Sequence, residues 1–144
     1  MTWAMTPEIG VGAVIYRQDT THGRGEILLV QRAHSPGQGL WALPGGHLMW
    51  GESLTGALQR EITEELHITI HIGQLIYVAE LLGPSHHLVI LDYAATVARG
   101  QPTVGSDARD YRWVSALEIK SLSLAPGMEA FLASPKVRST LQWG

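Results

Sequence analysis

Cysteine is absent from the 144 residues. That absence excludes a disulfide scaffold, a thiol nucleophile and a zinc-thiolate site. Charge is also sparse. Asp, Glu, Lys and Arg make up 16% of the chain, and acidic residues outnumber basic ones by 13 to 10, for a formal net charge of −3. A mildly acidic chain has no broad basic footprint for a nucleic acid duplex or an anionic membrane. Long apolar runs are missing too. The longest nearly uncharged stretch, Leu66–Val78, is interrupted by His67, His71 and Gln74 and is too short and polar to span a bilayer. The first residues, Met1 to Pro7, lack a basic region followed by an apolar core, so they do not read as a secretory signal. With neither signal nor cysteine, the expected location is cytoplasmic.

Hydrophobic residues make up 45% of the chain, which excludes a disordered polymer. A chain of this length buries about 70% of its unfolded surface and fits one domain, expected here over residues 1–144. Gly10–Tyr16 and Ile27–Gln31 read as strands of a hairpin joined by a polar turn at Asp19–Gly25. Pro44-Gly45-Gly46 reads as a sharp turn. The period then changes. Leu54, Ala57, Leu58, Ile62 and Leu66 recur at steps of three and four, which predicts a helix over Leu54–Leu66 with Ser53 as its N-cap.

Strand signals return at Ile68–Leu82, with Gly73 as a bulge, and at His87–Val97, whose expected buried centre is Leu88–Leu91. Gly83-Pro84-Ser85 is the turn between them. A loop over Gly100–Asp110 leads to a short strand, Tyr111–Val114. Ser115-Ala116-Leu117-Glu118 matches a capping box. A last helix is expected at Pro126–Ala133, stopped by Ser134-Pro135. This order predicts a mixed, partly antiparallel sheet with helices packed on it.

The acidic residues are unevenly spread. Glu52, Glu61, Glu64 and Glu65 lie within fourteen positions. Steps of three and four make Glu61, Glu64 and Glu65 neighbours on one side of the helix, where like charges repel. Glu64 and Glu65 also sit in the last turn, at the negative end of the helix dipole. Arg60 offsets only part of this. Two readings remain open on spacing alone: a solvated charged face, or a site for a hard cation such as Mg²⁺ or Mn²⁺.

The surrounding residues carry a resemblance. Gly46, five residues, Glu52, seven residues, then Arg60-Glu61-Ile62-Thr63-Glu64-Glu65 resembles the Nudix box, with Ile68 as its final aliphatic position. Over the 23 residues Gly46–Ile68, eight of nine specified positions match; His67 stands where the family has glycine. Trp41-Ala42-Leu43-Pro44-Gly45 looks like the family lead-in, and a weaker likeness reaches Arg112-Trp113-Val114. Glycine just past a helix takes a left-handed conformation freely, whereas histidine adopts it at some steric cost. A strained helix exit with intact chemistry is therefore expected at His67, and a glycine restored there is expected to leave activity similar.

The resemblance implies a Nudix-type α/β/α sandwich with a mixed central sheet. It also implies divalent-metal-dependent hydrolysis of a nucleoside diphosphate linked to another moiety. By that likeness Glu61, Glu64 and Glu65 hold Mg²⁺ (or Mn²⁺) with the Gly45 carbonyl, Glu52 is a nearby acidic partner on the substrate side, and Arg60 orients the glutamates. The general base is Glu61 or Glu65 assisting a water at the metal, or a loop acid, Asp107 before Asp110. Arg32, at the end of a strand, has two readings, a phosphate contact or a surface arginine; Arg17 is a weaker candidate of the same kind. Trp50 and Trp3 can stack on a base or ribose, while Trp41 and Trp113 read as core.

The seven histidines read as surface or hairpin residues. Pro84 lies sixteen residues past Ile68, a spacing similar to that in ADP-ribose hydrolysing members, so ADP-ribose or a related nucleotide sugar is the expected substrate. A nucleoside triphosphate pyrophosphatase of the nucleotide-sanitising type is the alternative. A non-catalytic nucleotide sensor is the third reading, disfavoured because all four box glutamates are kept. The expected partner is a small nucleotide. A homodimer is compatible with the resemblance, though no residue marks the surface that would pair.

Overall fold

The computed structural model describes residues 6–18, 25–105 and 107–143. In chain order the strands are β1 (Glu8–Gln18), β2 (Gly25–Arg32), β3 (Trp41–Ala42) and β4 (Gly45–His47). Helix α1 (Leu54–Leu66) follows, then β5 (Thr69–Gly83), β6 (His86–Arg99) and β7 (Ala108–Ser115). A 3₁₀ turn (Glu118–Ser121), α2 (Met128–Ala133) and α3 (Pro135–Leu141) complete the order. The sheet runs β3-β2-β1-β6-β5, with β4 paired to β1 and β7 to β2.

Strand β1 belongs to both halves of this sheet. Its residues Glu8 to Ile15 run parallel to β6, from Glu8 opposite Leu88 to Ile15 opposite Ala95. On its other side Gly10 to Gly12 pair with β4, and beyond them Tyr16 to Gln18 pair antiparallel with β2. The parallel pair makes the sheet mixed, as the sequence led us to expect.

Alternation of side chains along β1 and β2 sorts the core into two layers. Val11, Ala13, Ile15, Leu28 and Val30 face α1, meeting Ala57, Leu58, Ile62 and Leu66. Val14, Ile27 and Leu29 face the opposite way and meet Ile119, Phe131, Val137 and Leu141 from the C-terminal helices. Tyr77 of β5 packs edge-on against Phe131, with ring centroids 5.4 Å apart. The result is a sheet between helical layers, the expected α/β/α sandwich. Among the described residues no helix is long and apolar enough to cross a membrane.

Several local expectations need correction. Gly45-Gly46 is part of β4 and not only a turn, because the distant strand β1 supplies hydrogen-bonding partners there. The centre of β6 is displaced. Leu88 to Leu91 are half-buried, and the buried residues are Asp92, Ala94 and Ala95. Asp110 lies within β7 and not in a loop. Pro135 starts α3 at its first turn, with the Ser134 side chain accepting from Val137 N–H, so Ser134-Pro135 is a boundary between two helices and not an end. The turn residues 19–24 fall outside the described residues.

Candidate active site

The site begins with how α1 is held. Ser53 Oγ accepts from Gly56 N–H at 3.0 Å, capping the start of the helix. Ala57, Leu58, Ile62 and Leu66 are buried under the sheet, which leaves Glu61 and Glu65 on the flank beside β4 and Glu64 facing solvent. Gly45 N–H donates to Glu65 Oε1 at 3.1 Å. A side chain on Gly46 would run into the Glu61 carboxylate, so the close approach of strand to helix requires glycine there.

Arg60 organises the outer part of the cluster. It grips Glu52 with two parallel bonds, Nε to Oε2 at 2.6 Å and Nη2 to Oε1 at 2.9 Å. Its Nη1 reaches Glu61 Oε1 at 2.9 Å and Glu64 Oε2 at 3.3 Å, and Nη2 also donates to the His47 carbonyl at 3.1 Å. Glu52 in turn accepts from Met49 N–H at 2.8 Å. The Arg60 guanidinium and that amide hold the Glu52 carboxyl below the usual carboxylate range. Glu52 is therefore engaged by the protein itself, and Arg60 touches Glu52, Glu61 and Glu64 at once.

Glu65 has a different environment. Burial pushes its carboxyl up to about 7; the Gly45 amide opposes this, the negative charges of Glu61 and Asp107 add to it, and the Arg32 cation opposes it. The same balance shows that Glu61, Asp107 and Arg32 lie within electrostatic reach of Glu65. Three acids from α1 and the β6–β7 loop thus gather with one arginine from the end of β2. Arg32 is oriented by its Nε bond to the Pro36 carbonyl at 2.8 Å. Asp110 stands apart, its Oδ1 accepting from Tyr111 N–H at 2.8 Å.

The β6–β7 loop reaches the site by docking on the end of α1. The last carbonyls of a helix have no partner within it. Here Thr103 N–H donates to Leu66 O at 3.0 Å and Gly105 N–H to Glu65 O at 2.8 Å. A side chain at Gly105 would collide with Glu64 O, so this contact also depends on glycine. Just beyond, the Asp107 carbonyl accepts from Ala33 N–H at 3.3 Å. His67 has the left-handed conformation expected of it, φ 57° and ψ 34°. No local pattern pairs its ring with Thr103, yet its Nδ1 lies 3.1 Å from Thr103 O and 3.0 Å from Thr103 Oγ1.

The remaining candidates have varied settings. Arg17 bonds Glu26 at 3.0 Å and stacks 4.1 Å from the Trp113 ring, away from the acidic cluster. Trp50 is 102% exposed and Met49 beside it is 59% exposed, at the tip of the segment before α1. Trp41 is buried as expected, and Trp3 lies outside the described residues. Sequence reading passed over Asp92, a buried acid in the apolar run Leu88–Ala94. Burial pushes its carboxyl up to about 7.

The donor chemistry fits a hard divalent cation. Glu61, Glu64 and Glu65 supply carboxylate oxygens along the last turns of α1, and burial disfavours the charged form of Glu65. Among the described residues no three His, Asp or Glu groups form a ready-made cage, so the fit rests on donor type and charge.

The chain resembles known proteins in both sequence and fold. The family model for the NUDIX domain matches residues 6–134. An ADP-ribose pyrophosphatase of Methanocaldococcus jannaschii is 29% identical over 106 residues, covering 72% of this chain; the match spans only 59% of that relative's length. The CTP pyrophosphohydrolase of Escherichia coli is 33% identical over 135 residues, covering 87% of this chain and 92% of the relative. The crystal structure of a MutT NUDIX hydrolase from Burkholderia pseudomallei superposes with a TM-score of 0.77 at 30% identity, covering 87% and 95% of the two chains. The chain therefore belongs to the Nudix hydrolase family, whose members are pyrophosphohydrolases acting on phosphoanhydride bonds.

Proposed function

We propose that this chain hydrolyses the pyrophosphate bond of nucleoside diphosphate derivatives, with ADP-ribose or a related nucleotide sugar as the foremost substrate and Mg²⁺, or Mn²⁺, as the bound cation. The observation that carries the reading is the grouping of Glu65, Glu61, Asp107 and Arg32 beside the Gly45–Gly46 strand. A phosphoanhydride repels an approaching water through its own charge. When bound, a divalent cation screens that charge and acidifies the water.

The chain's own groups do the rest. Glu61, Glu64 and Glu65, with the Gly45 carbonyl, would hold the cation. Arg60 fixes the directions of Glu61 and Glu64, and Glu52 acts through Arg60 by pinning it. Arg32 meets a phosphate oxygen. Asp107, Glu61 or Glu65 accepts the proton of the attacking water, and Trp50 offers a stacking face to the base or ribose.

The substrate preference rests on Pro84 in the β5–β6 turn and on the name of the M. jannaschii relative. A nucleoside triphosphate substrate is the second reading, favoured by the E. coli relative that matches nearly end to end. A panel of ADP-ribose, nucleotide sugars, dinucleoside polyphosphates, CTP and modified deoxynucleoside triphosphates, assayed with Mg²⁺ or Mn²⁺ and with products identified by mass, separates the two. The highest kcat/KM on ADP-ribose supports the first, and the highest on a triphosphate supports the second. No turnover of any member with either metal rejects both.

A further inference from the structure

We propose that His67 is a positioning residue that clasps the β6–β7 loop to the end of α1 and thereby sets Asp107 beside Glu65. The proposal rests on the reading of Asp107 as part of the hydrolytic site.

The backbone is the first observation. His67 holds φ 57°, a conformation that places the β-carbon of any L-residue under steric pressure and that glycine takes freely. A residue kept in such a conformation is overdetermined by its surroundings, and here the surroundings are visible. His67 N–H closes the helix on Thr63 O at 3.0 Å. Its ring then leaves the helix and meets one residue, Thr103, thirty-six positions later, through both the carbonyl and the hydroxyl. A carbonyl oxygen only accepts while a hydroxyl can do either, so each tautomer ties the ring to Thr103: Nδ1–H donates to the carbonyl, or Nδ1 accepts from the hydroxyl.

The contact continues what the backbone begins. Thr103 N–H and Gly105 N–H already cover the carbonyls of Leu66 and Glu65. The ring adds a side-chain tie to the same segment, making three attachments within three residues of loop. Asp107 is two residues past Gly105, a span of about 7 Å at full extension. The loop therefore has little freedom to carry Asp107 away from α1 while these ties hold. At the far side, Ala33 N–H on the Asp107 carbonyl places that residue next to Arg32. A glycine at position 67 keeps the backbone cap but supplies no ring, so the loop would depend on its two amides alone. This reverses the expectation from sequence that glycine there leaves activity similar.

The test uses the full chain with Mg²⁺ and either ADP-ribose or CTP, in four forms: wild type, His67→Gly, Asp107→Asn and the double variant. His67→Asn is added because asparagine tolerates the left-handed conformation and keeps a donor. In His67→Gly we expect kcat to fall about tenfold with KM little changed, as for loss of a supporting hydrogen bond. The melting temperature should hold or rise, because glycine relieves the strained cap. Amide hydrogen exchange at Thr103 and Gly105, measured without metal or substrate, should accelerate. His67→Asn should recover part of both losses.

In the Asp107→Asn background the glycine substitution should add no further loss of kcat. Equal losses in both backgrounds, or exchange at Thr103 and Gly105 unchanged by His67→Gly, would overturn the clasp. Failure of the underlying reading looks different: Asp107→Asn would then retain wild-type turnover, while exchange in His67→Gly still reports on the tie itself.

Discussion

At the scale of single residues, the buried carboxyl of Asp92 and the half-buried one of Glu61 define how this protein should respond to pH and to substitution. Asp92 on β6 lies opposite Gly12 and holds its proton up to about pH 7, because burial opposes its charge. In the unfolded chain it ionises near its ordinary value of 3.8. Between those values the unfolded state has lost a proton that the folded state retains, so this group's contribution to stability falls as pH rises and levels off above about 7. Asp92→Asn should therefore raise the stability at pH 8, by on the order of a few kcal/mol at most, and the gain should shrink toward zero below pH 4. Scanning calorimetry at the two pH values checks this; a gain independent of pH would remove the titration account. Gly46→Ala should act through Glu61. The added methyl displaces that carboxylate, so kcat should drop about 10- to 100-fold while circular dichroism stays native. Wild-type turnover in that variant would take Glu61 out of the machinery. The left-handed turn at His67 was legible in the sequence because helix exits follow local sterics. Its ring contact was not, since Thr103 lies thirty-six residues away and nothing local pairs them. Asp92 escaped notice for a related reason. An apolar run predicts burial, but which of its residues is covered most deeply depends on the strands on either side.

At the scale of elements, α1 carries most of the chemistry that could be read in advance. Its limits, its cap at Ser53 and its buried face agree with the pattern of steps along the sequence. Its charged flank is where the enzymatic reading can be broken most directly. Glu64→Gln and Glu65→Gln should each lower kcat by orders of magnitude with the far-ultraviolet spectrum unchanged, since both removals leave the apolar face intact. Steady-state kinetics on whichever substrate the panel selects decides it, and a fully active Glu65→Gln would reject the metal assignment. The shorter elements were harder to foresee. β4 is three residues long and exists because Gly10 to Gly12 of β1 pair with it. A proline after a serine ends one helix and starts another equally well, and the choice at Pro135 is made by Val137 and Leu141 burying themselves in the second core layer.

At the scale of the whole molecule, a mixed sheet with helices packed on it followed from the order of elements and the α/β/α sandwich from the Nudix resemblance, while the parallel pairing of β1 with β6 joins segments some eighty residues apart and left no local trace. Binding of the proposed cation would be a property of the assembled fold, because α1, β4 and the β6–β7 loop reach one place only when the sheet is complete. A hundredfold excess of Mg²⁺ over its dissociation constant should raise the melting temperature by on the order of 5–10 °C, and the double variant Glu64→Gln/Glu65→Gln should lose most of that rise. Differential scanning fluorimetry reads both, and an equal rise in the double variant would place the ion elsewhere. One last consequence concerns β1. It is a single cable threaded through both halves of the sheet, gripped by β6 and β4 near one end and by β2 at the other. Neither half can be peeled away without loosening the other, so a mechanical pull on β1 should rupture the domain in one event and silence the acidic cluster at the same moment.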